Sequence, residues 1–242
     1  MLLAGKTAVV YGAAGAIGSA VARAYAREGA DVHLAGRTIR TLERVAADIR
    51  DGGGTARVAR LDVLDRAAVE RHTEAVVDAS GRIDIAFNAT SNDDVQGSPL
   101  ADMQLDDFLR PVTKAVTAHF NIATAVGRHM TSRGAGAIVV MAGGRESIPR
   151  LGGSHVAWSA LAGLCRQLAA EFGPHGVRVS WLLSAGSPGA GEPDTTPDAG
   201  GLPPRHLPTY DEVANVATFA ASDWARTMTA TEFNLTGGVV ID

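Results

Sequence analysis

Val9-Val10-Tyr11-Gly12-Ala13-Ala14-Gly15-Ala16-Ile17-Gly18 is the stretch that decides the fold of this chain. It sets a glycine-rich turn between a short apolar strand, Thr7 to Tyr11, and an amphipathic helix, Ile17 to Glu28. The first N–H groups of a helix have no intrahelical acceptor, and the helix dipole adds partial positive charge there, so such a turn faces an anion. The anion most often held by a strand–turn–helix of this kind is the pyrophosphate of a dinucleotide. The spacing departs from the common G-x-G-x-x-G: Gly12 and Gly18 are six apart, with Gly15 and Ala16 between them. Glycines also serve ordinary turns, so the weight rests on position: this turn follows the first strand and opens the first helix.

Outward from that turn, strand-like and helix-like runs alternate. Strands are predicted at Asp31 to Ala35, Ala56 to Leu61, Ile83 to Asn88, Ala137 to Met141, Val177 to Leu183 and Phe233 to Ile241. Helices are predicted at Ile39 to Arg50, from an Asp65 cap to about Ala79, at Leu105 to His129 with Pro111 near its start, and at Val156 to Phe172. Thr209-x-x-Glu212 is a capping box that opens a last helix to Ala221. The stretch from Ser184 to Pro208, rich in Gly, Pro and Asp, reads as a substrate loop or lid. Repeated βα units with apolar strands imply an α/β fold: one domain over residues 1–242, with a doubly wound parallel sheet and helices on both faces.

Composition narrows the function. The 242 residues carry a formal net charge of −4 and are 46% hydrophobic, which fits a soluble protein. No basic patch points to nucleic acid, and no apolar run is long enough for a membrane span. The N-terminus runs straight into the first strand, so no signal peptide is expected. The single cysteine, Cys165, excludes an internal disulfide and suits a reducing cytoplasm. No metal-ligand spacing stands out, so no metal is expected.

The residues closing the strands carry the chemistry. Arg37-Thr38 follow the second strand, where dinucleotide folds meet the adenosine ribose. An acid there binds a free 2′-hydroxyl; the guanidinium fork of Arg37 suits a 2′-phosphate, favouring NADP(H) over NAD(H). Asp62-Val63 close the third strand, where a carboxylate can accept from an adenine amino group. Asn88-Ala89-Thr90 close the fourth, beneath the expected cofactor. With Gly12, Ala14, Gly15, Ala16, Ile17 and Gly18, these are the candidate cofactor residues.

Taken in order, Gly12-x-x-x-Ala16-x-Gly18, Gly36-Arg37, Leu61-Asp62-Val63, Asn88-Ala89, Arg166-x-Leu168-Ala169-x-Glu171-x-Gly173-x-His175-Gly176-Val177-Arg178-Val179 and Asn234-Leu235-x-Gly237-Gly238 resemble the short-chain dehydrogenase/reductase family over essentially the whole chain. The resemblance implies a single Rossmann-like domain, a homo-oligomer (tetramer or dimer), and hydride transfer between NAD(P)(H) and a small alcohol or carbonyl substrate. It also exposes departures. Counting back from Leu168-Ala169-Ala170-Glu171, the family's Tyr-x-x-x-Lys positions fall on Ser154 and Trp158. The family serine falls near Ala142-Gly143 and its helix asparagine near Ala115. The Gly that ends the family's Asn-Ala-Gly is Thr90, and Ser184-Ala185 stand at the family's Pro-Gly.

A phenol beside an ammonium has a lowered pKa and works as an acid near neutrality; a lone serine does so poorly, and an indole carries no charge. Ser154, His155 and Trp158 are therefore the candidates for a rebuilt catalytic set, since a histidine titrates in the useful range and Ser154 and Trp158 share one helix face. Arg145, Glu146 and Ser147 fall where a substrate loop is expected, and Asn92, Asp93 and Asp94 form a polar loop after the fourth strand. Lys114 adjoins the lost asparagine but is turned by one helical step, which predicts a surface position. Three functions stay open: an NADP(H)-dependent oxidoreductase with an altered relay, a non-redox biosynthetic enzyme on this fold (cyclisation, dehydration or rearrangement), or a non-catalytic subunit.

Overall fold

The first strand, β1 (Thr7–Tyr11), is buried along its whole length and lies in the middle of the molecule. In this computed structural model the described residues are 1–145, 148–184, 207–238 and 240. The remaining strands are β2 (Asp31–Gly36), β3 (Thr55–Arg60), β4 (Ile85–Asn88), β5 (Gly136–Met141), β6 (Val177–Leu183) and β7 (Thr231–Asn234). The helices are α1 (Ala16–Arg27), α2 (Ile39–Asp51), α3 (Arg66–Ser80), α4 (Leu105–Arg133), α5 (Ser154–Phe172) and α6 (Tyr210–Ala221).

All strand pairs are parallel, in the order β3-β2-β1-β4-β5-β6-β7. One apolar layer joins the sheet to α3, α4 and α5; the other joins it to α1, α2 and α6. The chain is thus a single doubly wound α/β domain. The order reverses at β1, which has β2 on one side and β4 on the other, and a crevice opens past the carboxyl ends of strands at such a reversal.

Local chemistry sets the ends. Asp65 Oδ1 accepts the Ala68 N–H at 3.0 Å and starts α3, which Gly81 stops in the left-handed region at φ 75°. The Thr209 hydroxyl and the Glu212 carboxylate complete the capping box of α6. Two expectations need correction. Helix α4 runs on to Arg133, ended by Gly134 at φ 78° rather than at His129. Strand β7 stops at Asn234: its Oδ1 accepts from the Thr236 N–H and hydroxyl, and Gly237 and Gly238 take φ 63° and 86°, which no strand continues through. Residues 185–206 of the expected lid lie outside the described residues.

Candidate active site

Gly12 leaves β1 at φ 76°, and its N–H donates to the Ala35 carbonyl of β2 at 2.9 Å. A Cβ there would sit 2.5 Å from the Ala89 carbonyl oxygen, so β4 closes against the turn only because Gly12 has none. Gly18 allows the second close approach: its Cβ would lie 2.2 Å from the Gly12 oxygen. Gly15 caps α1 and has no side chain to occupy the first N–H groups of the helix, those of Ala16, Ile17 and Gly18. The turn is therefore a set of donors held rigidly at a positive helix end.

The glycine turn borders a cleft of about 220 Å³ at the strand-order reversal; Ala16, Ile17 and Gly18, which begin α1, do not line it. Gly12, Ala14 and Gly15 form one wall, and Gly36, Arg37 and Thr38 the end of β2; Leu61, Asp62 and Val63 come from the end of β3, Ala89, Thr90 and Ser91 from the end of β4. Most of the predicted cofactor residues meet in this one crevice. Gly18 is buried behind it, and Asn88 is buried beneath, where its Oδ1 accepts from the Thr90 N–H (3.0 Å) and hydroxyl (2.7 Å). Asp62 Oδ1 accepts the Leu64 N–H at 3.0 Å, which fixes the carboxylate at the rim.

Two residues of α4 escaped the sequence reading. Asn121 is buried and donates from Nδ2 to the Val63 carbonyl at 3.0 Å, tying the β3 end in place. Lys114, expected on the surface, lines the cleft with a largely buried side chain whose ammonium pairs with Asp93. A lysine stem buries along apolar surface while its head reaches a charge several ångströms away, so the turn of one helical step does not keep Lys114 on the surface. Asp93 takes φ 55°, and Lys114 and Arg37 hold its carboxyl below the usual range.

The catalytic candidates lie apart from this cleft, with Ser154 in the interior and His155 and Trp158 on a second cavity. Ser154 is fully buried, and its Oγ accepts from Gln96 Nε2 at 3.0 Å. Trp158 lies flat against Gly143: a Cβ there would be 2.0 Å from the indole ring. The side chain at position 158 thus occupies the space that one at position 143 would need. His155 and Trp158 border a second cavity of about 280 Å³ that shares no lining residue with the first. There Glu232 accepts from Trp181 Nε1 at 2.6 Å and faces Arg145 Nη2 at 2.6 Å, while Arg166 stacks 4.9 Å over the Trp181 ring. His155 Nδ1 is buried with no hydrogen-bond partner among the described residues. Glu146 and Ser147 lie outside the described residues.

No tyrosine borders either cavity among the described residues. Tyr11 and Tyr25 are fully buried, with burial pushing both phenols above the usual range. Cys165 is buried 3.5 Å from His119 Nε2; burial pushes its thiol up to about 12, so it is a packed group and no nucleophile. Among the described residues no cluster could hold a metal ion, and no helix is long and apolar enough to cross a membrane.

The comparisons with known proteins agree with this architecture. A family model described as Enoyl-(Acyl carrier protein) reductase matches residues 12–240. D-threitol dehydrogenase of Mycolicibacterium smegmatis is 32% identical over 249 residues, covering 99% of this chain and 94% of the relative. A short-chain type dehydrogenase/reductase of Sinorhizobium fredii is 30% identical over 258 residues, covering all of both chains. The NAD+-bound structure of a xylitol dehydrogenase superposes with a TM-score of 0.90 at 26% identity, over 98% of this chain and 100% of that one. The dinucleotide-type turn, the seven-stranded parallel order and these matches over nearly the full length have one reading: the chain belongs to the short-chain dehydrogenase/reductase family of oxidoreductases.

Proposed function

We propose that this protein is an NADP(H)-dependent oxidoreductase of small carbonyl or alcohol substrates whose usual proton relay has been replaced. The observation that carries the cofactor reading is Arg37 at the tip of β2, in the wall of the same cleft as Gly12, Ala14 and Gly15 of the glycine turn. In this reading the first N–H groups of α1 hold the pyrophosphate. The Asp62 carboxylate takes the adenine amino group, and the Arg37 guanidinium takes the 2′-phosphate through a charge-assisted fork. Asn88 and Thr90, locked to each other, shape the floor. Nicotinamide, when bound, supplies or accepts the hydride.

The proton is the unusual part. With Ser154 buried against Gln96 and Trp158 filling the space before Gly143, the helix face that ordinarily carries the relay offers no ionisable group. His155 is the nearest titratable side chain on α5, and it borders the other cavity. That separation is the specific observation in favour of a second reading, a non-redox reaction on this fold. Cofactor absorbance at 340 nm with a panel of ketones, quinones and alcohols separates the two: product without absorbance change supports the second.

Arg37→Asp is expected to weaken NADPH by about 10–100-fold, the worth of one charge-assisted contact, and to leave NADH equal or tighter. Fluorescence titration of both nucleotides reads this directly. An unchanged NADPH/NADH ratio would remove Arg37 from the phosphate and with it the NADP(H) preference. We further propose a homo-oligomer through α4 and α5, where Leu109, Phe120 and Val156 are 40%, 40% and 42% exposed. A sedimentation mass of one subunit at micromolar concentration would refute that.

A further inference from the structure

Arg37 is not the only cation in the nucleotide cleft. Lys114 reaches the same crevice from α4, on the wall made by the ends of β3 and β4, and its side chain is only 13% exposed. A buried ammonium needs a counter-charge, and Asp93 supplies it from the loop after β4. Asp93 is held in place on its other side as well: its N–H donates to Ser91 Oγ at 3.1 Å, and the Ser91 hydroxyl donates back to Oδ1 at 3.3 Å. The same carboxylate lies within the field of Arg37. One internal anion therefore pairs with Lys114, while Arg37 lines the same cleft and acts on it only through its field.

A cleft lined by both an ammonium and a guanidinium, with a carboxylate already paired to the ammonium, is a place where an anion is favoured, and a phosphate dianion more so. We propose that Lys114 and Arg37 together form the receptor for the phosphate on the adenosine ribose, and that Asp93 occupies it until the nucleotide arrives. The inference rests on the nucleotide reading above and adds a second cation and an internal competitor to it. Lys114 supplies a point charge with a buried stem; Arg37 supplies the exposed fork. When phosphate enters, Asp93 gives up its ion pair and turns to solvent, which half of its side chain already meets (48% exposed). Its departure needs no rearrangement of the sheet, since the whole of 91–94 is loop.

The arrangement makes opposite demands on two neutralising substitutions. Lys114→Met keeps the buried stem and removes the charge. It is expected to weaken NADPH by about tenfold and NADH by less than about threefold, because NADH has no phosphate at that position. Asp93→Asn removes the competitor and is expected to tighten NADPH by about three- to tenfold, again with little change for NADH. In the double variant most of the gain from Asp93→Asn disappears, because one of the two cations it freed is absent. Lys114→Arg, which keeps the charge, restores the preference for NADPH, and circular dichroism with thermal melting confirms that each variant is folded. Equal losses for both nucleotides in Lys114→Met would overturn the inference, as would an Asp93→Asn protein that binds NADPH no more tightly. A wild-type protein that binds neither nucleotide is a different failure, that of the nucleotide reading itself.

Discussion

Gly18→Ala is expected to lower stability by about 3 kcal/mol and to weaken nucleotide binding by more than about tenfold. The added Cβ would lie 2.2 Å from the Gly12 oxygen, 2.8 Å from its carbonyl carbon and 3.0 Å from the Ala13 Cα. All three are backbone atoms, so no rotamer change relieves the contact. Relief requires α1 to lift off the turn, yet α1 is fixed by Val21, Ala22, Ala24 and Tyr25, all buried against the sheet and α6. In the nucleotide reading the first N–H groups of α1 hold the pyrophosphate, and they move with the helix, so binding falls along with stability. For a domain of this size the loss corresponds to a drop of roughly 6–12 °C in Tm. Gly15→Ala is the matched comparison: it sits at φ −80°, and its Cβ would meet only the Gly12 oxygen, at 3.4 Å. That variant should fold like the wild type while placing a methyl group at the cleft. Urea unfolding and NADPH titration of both proteins test the assignment, and a Gly18→Ala protein with wild-type values in both would refute it.

The contrast between these two glycines shows what a sequence can and cannot carry. Gly12 and Gly18 are legible because a strand–turn–helix has few ways to pack, and their position after the first strand and at the opening of the first helix marks the turn. Strand β6 was legible to the residue, Val177–Leu183, because Gly176 before it and the Gly/Pro-rich stretch after it bound a run whose apolar residues alternate with Arg178 and Ser180 before closing on Trp181-Leu182-Leu183. The capping residues Asp65 and Thr209 were legible because a cap is a local hydrogen bond. What stayed hidden is non-local. Asn121 holds the β3 end from 58 residues away. Lys114 meets Asp93 across a loop, and helical phase alone locates its Cβ, not its ammonium. The relation of Trp158 to Gly143 was equally invisible: each departs from the family pattern by itself, and only packing shows that the indole takes the room of the missing side chain. Strand β7 was read too long because Phe233 to Ile241 looks apolar, whereas the paired glycines inside it take positive φ.

Acidification from pH 6.5 to 4 is expected to remove several kcal/mol of stability, through histidines folded into the interior. His119 is fully buried in α4, and burial lowers its pKa to about 4. His72, on α3 and edge-on to Tyr11 at 6.1 Å, is lowered to about 4 by burial first and by the neighbouring His33 second. His33 is itself shifted down by burial. The Nδ1 atoms of His72 and His119 are buried without partners among the described residues, so nothing there welcomes a proton. An unfolded histidine titrates near 6.5, hence below that pH the unfolded chain takes up protons that the folded chain refuses. The stabilisation is therefore complete above pH 6.5 and is lost as pH falls toward 4. Each fully depressed histidine contributes up to about 3 kcal/mol across that window, and two together approach the whole stability of an ordinary domain. Urea midpoints at pH 7.0, 5.5 and 4.5 should fall steadily, and His119→Gln should remove roughly half of the slope while lowering the pH 7 value, since its neighbour Cys165 loses its partner. A midpoint that stays flat from pH 6.5 to 4.5 would mean that these imidazoles charge freely in the folded protein, and that the core around α3 and α4 admits water that its packing excludes.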